Sequence, residues 1–420
     1  MNWFMISWKN SRQRPLATFL SVLLLAFGTG IISLLMSASQ QIEDQFTRNI
    51  RDIDMVVGAK GSPLQLILSS VYQMDAPTGN IPLAEYQKLL RHPMVKKGIP
   101  LAYGDNYQGY RIVGTEPGYL EHYKVLLKEG EIWSSPGQVV IGAKVARLTG
   151  LKMGDTFNGS HGLQNDMDEH DHFAYTVSGI LEPSGTVVDK LILTPIESVW
   201  SVHEEGHADH GAGHHHEEED EHHHHEEEEE HSAHEHSTPR EITAALIEFT
   251  SPMGNLTVPR MVNQNTPMQA ALPAIEINRL FALMGNGIQT LRMLAILIVI
   301  ISGISVFVSL YQSLKDRKFE LALLRSMGAS RGQLFILVIL EGLIISCIGY
   351  LIGIALGKLG LWGLSQLADR EYSYNLQIPI FTLQELYLLF FILGIGFLAS
   401  LLPSLQAFRL NISKTLGNAS

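Results

Sequence analysis

Four long apolar runs constrain the fold of this 420-residue chain more than any other feature of its sequence. Residues 16–36, 293–311 and 386–407 contain no charged side chain. Residues 334–357 contain one, Glu341. Each run is close to or above the roughly 20 residues that an α-helix needs to cross the hydrocarbon core of a bilayer. The sequence therefore predicts a membrane protein with four transmembrane α-helices.

The first run has a competing interpretation as a cleaved signal peptide. Basic residues precede it, and Ser37-Ala38-Ser39 follows it in the manner of a small-residue cleavage site. Its 21 residues exceed the ~7 to 15 residues of a signal-peptide core. We therefore predict a retained membrane anchor.

Basic residues beside the spans predict the orientation, because short cytoplasmic loops are enriched in Lys and Arg. If the spans alternate, one side of the membrane receives Lys9, Arg12, Arg14, Lys315, Arg317, Lys318, Arg325, Arg331, Arg409 and Lys414. The other side has a short loop with only Lys358 and Arg370. The basic side is predicted to be cytoplasmic, with both termini inside a bacterial inner (cytoplasmic) membrane.

These assignments divide the chain into nine segments. They are a cytoplasmic N-terminus at 1–15, spans at 16–36, 288–311, 334–357 and 386–407, a periplasmic domain at 37–287, a cytoplasmic coupling helix at 312–333, a short periplasmic loop at 358–385 and a cytoplasmic tail at 408–420.

The long segment between the first two spans is predicted to fold as a large α+β extracytoplasmic domain. Alternating or clustered β-branched and apolar residues between turn signals predict its strands. The predicted strands are residues 110–114, 138–141, 175–181, 190–194 and 242–249. Helical spacing predicts helices at 83–92, at 143–149 and at 39–50, the last of which continues the first span.

A histidine- and glutamate-rich insert interrupts this domain at residues 203–236. It holds 13 of the 18 histidines and 14 acidic residues, but no Lys or Arg. The insert carries a charge of −14, while the 30 basic and 28 acidic residues outside it give a net charge of +2, so the overall charge of −12 comes from the insert. Its repelling acidic runs predict a disordered loop.

Metal capture is the functional interpretation of this insert, because neutral imidazole is a common ligand of zinc, nickel and copper. The alternative is a solvated hydrophilic insert with no specific role. Zn²⁺ is the first candidate ion. The candidate ligands are His203, His207, His210, His214, His215, His216, His222, His223, His224, His225, His231, His234 and His236.

No enzyme motif stands out in the sequence. The chain has no G-x-x-x-x-G-K-[ST] loop to hold nucleotide phosphates, no H-E-x-x-H helix and no Ser/His/Asp order. The lone Cys347 excludes an intramolecular disulfide. We predict no catalytic residue, no intrinsic cofactor and no nucleic-acid partner.

The cytoplasmic segment between the second and third spans contains an amphipathic, basic helix. Its apolar or small positions follow helical spacing at Phe319, Ala322, Leu323, Ser326 and Met327. Gly328 is placed to end the helix. Such a helix can lie on anionic lipid or dock a cytoplasmic subunit, and the spacing leaves both open.

At these residues the sequence resembles a known family. DRKFELALLRSMGASRGQ, followed by EGLIISCIGYLIGIALG, is similar to the hallmark of FtsX/MacB-like permeases of ABC transporters. The final LLPSLQAFRLNISKTLGN resembles their fourth span and tail. VVIGAKVARLTGLKMGDTF and YTVSGILEPSGTVVDKLILTPIESV are similar to the MacB-type periplasmic core domain.

The resemblance implies a permease that is not itself an ATPase. Its expected partners are separate ABC ATPase subunits that bind ATP, a second permease in a homodimer or heterodimer, and a periplasmic or outer-membrane protein. It also implies mechanotransmission, in which closure of the ATPases moves the periplasmic domain. The residues that match the family's motif beside the ATPase are Arg317, Glu320, Arg325, Gly328 and Arg331.

Other functions stay open at this point. Within the family, lipoprotein release and control of a cell-wall hydrolase compete with export linked to zinc or another divalent metal. Outside it, the chain could be a membrane-anchored metal sensor or store without transport.

Two further features concern the spans. Glu341 is expected to face protein, because an acid inside a span costs about 2.5 to 3.5 kcal/mol on insertion scales. Small residues at helical spacing predict close helix packing in the third span. They are Gly342, Ser346, Gly349, Gly353 and Gly357.

Overall fold

The computed structural model describes residues 15–160, 169–208, 240–371 and 382–409. The helices of these residues are numbered in chain order. They are α1 (Pro15–Asn49), α2 (Pro63–Ser70), α3 (Leu83–Leu90), α4 (Gly118–Tyr123), α5 (Ala143–Thr149), α6 (Ile196–Ala208), α7 (Gly254–Asn265), α8 (Pro273–Asp316), α9 (Lys318–Ser326), α10 (Arg331–Glu371) and α11 (Leu383–Phe408).

The strands are numbered in the same way. They are β1 (Met55–Ala59), β2 (Ile81–Pro82), β3 (Val95–Tyr107), β4 (Tyr110–Thr115), β5 (Leu127–Gly130), β6 (Gln138–Ile141), β7 (Thr156–Ser160), β8 (Glu169–Leu181), β9 (Ile192–Pro195), β10 (Glu241–Ile242), β11 (Ala244–Phe249) and β12 (Met268–Ala271).

These elements form two units. The α+β unit is Gln45–Leu280. The membrane unit contains the described residues up to Asp44 and from Phe281 onward.

The membrane unit is built from α1, α8, α10 and α11. These four helices are long and apolar enough to cross a bilayer, with mean hydropathy of 2.3, 2.8, 2.5 and 2.3 over their most apolar windows. All four contribute to one apolar core, through residues such as Leu25, Val299, Ile345 and Ile392. The prediction of four transmembrane helices with an α+β domain between the first and second is confirmed.

The helices are longer than the predicted spans. α10 continues to Glu371, so the prediction of a loop over 358–385 is wrong for residues 358–371. The Nζ atom of Lys358 lies 3.5 Å from Oε1 of Glu385, whose side chain is 4% exposed. Because its charge is paired inside the unit, this lysine does not mark the end of the helix.

The predicted coupling helix at 312–333 is also divided differently. Residues 312–316 belong to the end of α8, and α10 already begins at Arg331. The separate helix is α9, nine residues long.

The α+β unit is organised around one large sheet. The strand order is β12-β1-β11-β3-β4-β9-β6-β8-β5, and β7 pairs with β3 and β8. Most neighbours are antiparallel, while β4 with β9 and β6 with β8 are parallel. β2 and β10 form a separate short pair.

Two apolar cores cover this sheet. The first contains Met55, Ile247, Val258 and Met268, at the end with β1, β11 and β12. The second contains Val139, Val145, Tyr175 and Val177, at the end with β6 and β8. The strand predicted at 138–141 and the helix predicted at 143–149 have the observed bounds.

α6 and Arg240 lie on either side of the part of the histidine-rich insert that is outside the described residues. α6 ends at Ala208, so residues 203–208 are helical and the predicted loop does not begin at 203. Residues 209–236 lie outside the described residues, and their disorder stays a prediction. The indole Nε1 of Trp200 donates to the carbonyl oxygen of Glu241 at 2.7 Å, and the Arg240 guanidinium lies 5.0 Å from the Trp200 ring centre. These contacts hold the two ends of the insert together.

Candidate coupling site

α9 lies between the helices α8 and α10 in the chain and carries two of the five predicted coupling residues, Glu320 and Arg325. Its charges suit the helix dipole, since Glu320 is in the first turn and Arg325 in the last. Gly328 ends it with φ of +101°, a conformation that favours glycine.

One face of α9 packs into the membrane unit. Leu321 and Ala322 are 7% and 0% exposed. Leu321 belongs to a small core that also contains Leu314, Leu334, Leu337, Val338 and Ala407. This core fixes α9 against the ends of α8, α10 and α11.

The opposite face of α9 presents apolar side chains outward. Phe319, Leu323 and Met327 are 50%, 49% and 78% exposed. They are spaced four residues apart, so they form one stripe along the helix. The sequence had grouped Ala322 with these residues. That grouping is wrong, because Ala322 packs inward while the stripe faces out.

Arg317 is held inside the membrane unit. Its side chain is 18% exposed, and its Nε atom donates to Oε2 of Glu320 at 3.1 Å. Its positive charge also acts on the carboxylate of Glu341 in α10, which is 7% exposed. Arg317 therefore lies close enough to the acid of the third span for their charges to interact. The prediction that Glu341 faces protein agrees with its burial.

A tight turn joins α9 to α10. The amide of Ala329 donates to the carbonyl of Leu324 at 3.1 Å, and the amide of Gly328 donates to the carbonyl of Arg325 at 3.1 Å. These two bonds form a Schellman motif. They satisfy carbonyl groups that would otherwise lack partners at the end of α9.

A capping box begins α10 directly after this motif. The amide of Gln333 donates to Oγ of Ser330 at 3.2 Å, and the amide of Ser330 donates to Oε1 of Gln333 at 2.8 Å. The S-x-x-Q pattern could have revealed this box from the sequence. Together, the two motifs join α9 to α10 as one stiff corner, with Arg331 exposed in its first helical turn.

Glycines bring α10 into close contact with α1. A Cβ atom added at Gly349 would lie 2.6 Å from Cδ2 of Leu25. One at Gly353 would lie 2.6 Å from Cβ of Thr29 and 2.8 Å from the carbonyl oxygen of Ala26. Gly357 repeats this approach one turn later, with a contact of 3.0 Å to the carbonyl oxygen of Gly30. The predicted close packing of the third span is observed here.

The same helix contacts α11 on another side. A Cβ atom at Gly342 would lie 2.7 Å from Cβ of Ser400, and one at Gly396 would overlap the side chain of Ser346. Helix association in a bilayer depends on such close packing, because lipid removes the hydrophobic force between helices. A movement of α10 must therefore be shared with α1 and α11.

The predicted metal ligands are not assembled by the described residues. His203 and His207 belong to α6, and His210 to His236 lie outside the described part of the chain. Within that part, no group of three His, Cys, Asp or Glu residues could hold a metal ion. Metal binding by the insert stays a prediction.

Comparisons with known proteins assign the chain to a family. Residues 18–215 match the MacB-like periplasmic core domain, and residues 292–412 match the FtsX-like permease C-terminal domain. The chain belongs to the MacB/FtsX-like ABC transporter permeases. Permeases of this family are non-catalytic membrane subunits that work with ABC ATPase partners. The four apolar helices agree with a multi-pass membrane protein.

Solved structures similar to this permease include two domains from ABC transporters. One is the periplasmic region of MacB from Actinobacillus actinomycetemcomitans, with 10% identity over 56% of this chain and 97% of that chain and a TM-score of 0.34. The other is the extracellular domain of the noncanonic ABC-type transporter YknZ from Gram-positive bacteria, with 11% identity, coverage of 51% and 98%, and a TM-score of 0.31. No curated protein matches the chain.

Proposed function

We propose that this permease couples ATP hydrolysis by a separate ATPase subunit to movement of its α+β unit, in export or another envelope process. The chain lies in the bacterial inner membrane with both termini in the cytoplasm, as its basic residues indicate. It acts as a dimer with itself or with a similar permease.

The exposed stripe of α9 is the observation that carries this proposal. Apolar side chains that stay exposed on one helix face mark a protein or membrane contact. A stripe at Phe319, Leu323 and Met327 suits a groove on the ATPase, as in helix-in-groove recognition. The stiff corner at residues 328–330 then passes the movement of α9 to α10.

The route continues through the spans. α10 moves with α1, because the glycine contacts at Gly353 and Gly357 leave no space between their backbones. α1 ends inside the α+β unit at Asn49. The route from ATPase to domain therefore runs through α9, α10 and α1 in that order.

Acidic substitutions in the α9 stripe should break the contact with the ATPase. We expect Leu323→Glu with Met327→Glu to reduce co-purification of the ATPase at least tenfold and to remove its stimulation by the permease. The physical reason is that two carboxylates would have to be desolvated in the apolar groove. The measurement is ATPase activity and subunit stoichiometry of the purified complex.

The matched control for this experiment is Leu148→Glu in α5, a leucine of the α+β unit with 56% exposure. It should leave co-purification of the ATPase and its stimulation by the permease unchanged. If the α9 double variant binds and stimulates the ATPase like the native chain, the stripe serves lipid contact and the proposed route begins elsewhere.

We further propose that the histidine-rich insert binds divalent metal, with zinc as the first candidate. The support is the density of imidazole and carboxylate groups within one 34-residue stretch. The hydrogen bond from Trp200 to the carbonyl oxygen of Glu241 holds the two segments that flank the insert close together.

Removal of the insert should abolish zinc binding by the purified full chain. Calorimetry is expected to show several Zn²⁺ ions bound with micromolar or tighter affinity to the native chain and none to a chain lacking residues 203–236. A second variant, with all 13 histidines replaced by glutamine, keeps the length and acidity of the insert. If that variant still binds as many ions, imidazole is not the ligand and the metal proposal fails.

A further inference from the structure

The two helices that connect the membrane unit to the α+β unit differ in how they are built. α1 and α8 are each continuous through the boundary between the units. The difference lies in how firmly each is held and in the residues that make up its connecting stretch.

The last turn of α1 is clamped by hydrogen bonds within the α+β unit. Asn49 is 3% exposed, and its Oδ1 atom accepts from the amide of Val187 at 3.0 Å. The carbonyl oxygen of Asn49 accepts from the Tyr123 hydroxyl at 3.2 Å. The Nε2 atom of Gln45 donates to the carbonyl of Gly185 at 3.1 Å.

A second contact holds the same turn through Tyr72, which follows α2. The hydroxyl of Tyr72 donates to the carbonyl oxygen of Phe46 at 3.0 Å, and the two rings lie 4.6 Å apart. The loop at residues 184–187, which bonds to Gln45 and Asn49, is itself fixed. The Asp189 carboxylate accepts hydrogen bonds from the amides of Ser184 and Gly185 at 2.8 Å. Movement of the end of α1 must therefore move this loop.

The connecting stretch of α1 is also stiff by composition. Residues 31–49 contain no glycine and no proline. A helix without these residues and without an inserted side chain has none of the usual causes of a sharp kink.

α8 contrasts with α1 at Gly285-Asn286-Gly287. Neither helix has a buried residue in its connecting stretch, between Ser33 and Asn49 in α1 and between Ile277 and Ala295 in α8, so the contrast lies in the glycines. A Cβ atom added at either glycine would meet nothing within 4 Å, so packing within the chain does not require glycine there. Each glycine lowers the helical population about fivefold relative to alanine.

A hydroxyl adds to this weakness. The Oγ1 atom of Thr290 donates to the carbonyl oxygen of Asn286 at 2.9 Å. This kind of bond to the preceding turn often bends helices. Arg292 lies between the glycines and the uncharged run at 293–311, and the glycines precede the predicted span at 288–311.

We propose that α1 and α8 are mechanically unequal, with α1 acting as the stiff transmitting helix and α8 bending at Gly285–Gly287. The role of these two helices in coupling rests on the proposed function. Asn49, Tyr72 and Tyr123 are then positioning residues that receive the movement of α1, while the glycines allow α8 to follow it.

Hydrogen exchange of the full chain in lipid nanodiscs tests this proposal without any ATPase. After correction for intrinsic rates, amides at 286–291 should exchange at least tenfold faster than those at 38–48 of α1. In Gly285→Ala with Gly287→Ala, exchange at 286–291 should slow about 25-fold, since two helix-weakening residues are removed. Exchange at 38–48 should stay unchanged.

The matched control is Gly363→Ala in α10, where an added Cβ atom also meets nothing within 4 Å. It should leave exchange at 286–291 unchanged. Equal protection of α1 and α8, or no slowing in the double variant, would overturn the proposal. A change of oligomeric state in the double variant would overturn it too, because the glycines would then serve contact with a second copy. Failure of the ATPase proposal would leave these exchange rates unaffected.

Discussion

Gly353→Leu is expected to separate α10 from α1 and to abolish coupling. A Cβ atom at this position would already lie 2.8 Å from the backbone oxygen of Ala26, which cannot move away without shifting α1. Overpacking of a tight interface typically costs 1 to 3 kcal/mol, and the larger leucine side chain should bring the loss to about 3 kcal/mol or more. The measurement is the midpoint of thermal unfolding in detergent, together with stimulation of the ATPase.

The same substitution at Gly363 provides the control. This glycine lies on α10 as well, but an added Cβ atom there meets nothing within 4 Å. Gly363→Leu should have the same midpoint of thermal unfolding as the native chain. If Gly353→Leu matched it in both stability and stimulation, the contact between α10 and α1 would not be part of the route.

Arg317→Met is expected to destabilise the membrane unit through Glu341. Removing the arginine leaves a buried acid without the positive charge that acts on it. Two unit charges near a protein surface interact by on the order of 1 to 4 kcal/mol, and the partial exposure of Arg317 favours the lower end, about 1 kcal/mol. Thermal unfolding in detergent measures this loss.

A second substitution makes this prediction specific. Glu341→Gln in the Arg317→Met background should recover most of the lost stability, because the neutral amide needs no counter-charge. Arg260→Met, at an exposed position of α7, should change stability by less than about 0.5 kcal/mol. Failure of Glu341→Gln to restore stability would show that Arg317 acts through other contacts.

The transmembrane architecture could be predicted because lipid imposes a simple requirement on sequence. A span needs about 20 apolar residues, and the four runs fulfil it. Short elements with consistent local signals could also be predicted from the sequence, such as the helix Ala143–Thr149 and the strand Gln138–Ile141. Gly328 was identified as a helix end because αL geometry favours glycine.

Elements that depend on tertiary pairing were missed. The long strand Val95–Tyr107 contains Gly98, Pro100 and Gly104, which read locally as breakers. It forms because β11 and β4 pair with it on either side. Propensity is a weak guide where neighbouring strands supply the hydrogen bonds.

The candidate site was predicted only in part. A resemblance to a known family identified the residues of α9. The sequence could not predict which face of the helix packs inward, because Leu321 and Leu323 are both apolar and lie on opposite sides of it. Arg317 also interacts electrostatically with Glu341, 24 positions further along the chain. Local spacing cannot reveal such a pairing.

We expect ATP-driven movement of α9 to reach the α+β unit through α1. Spin labels at Thr47 of α1 and Gln289 of α8, both exposed, allow a distance measurement in the complex with the ATPase. The only native cysteine, Cys347, is first replaced by serine. ATP with vanadate should shift the distance distribution in the native chain and leave it unchanged in the Leu323→Glu, Met327→Glu variant. An unchanged distribution in the native chain, with an active ATPase bound, would show that movement of α9 does not reach the α+β unit through α1.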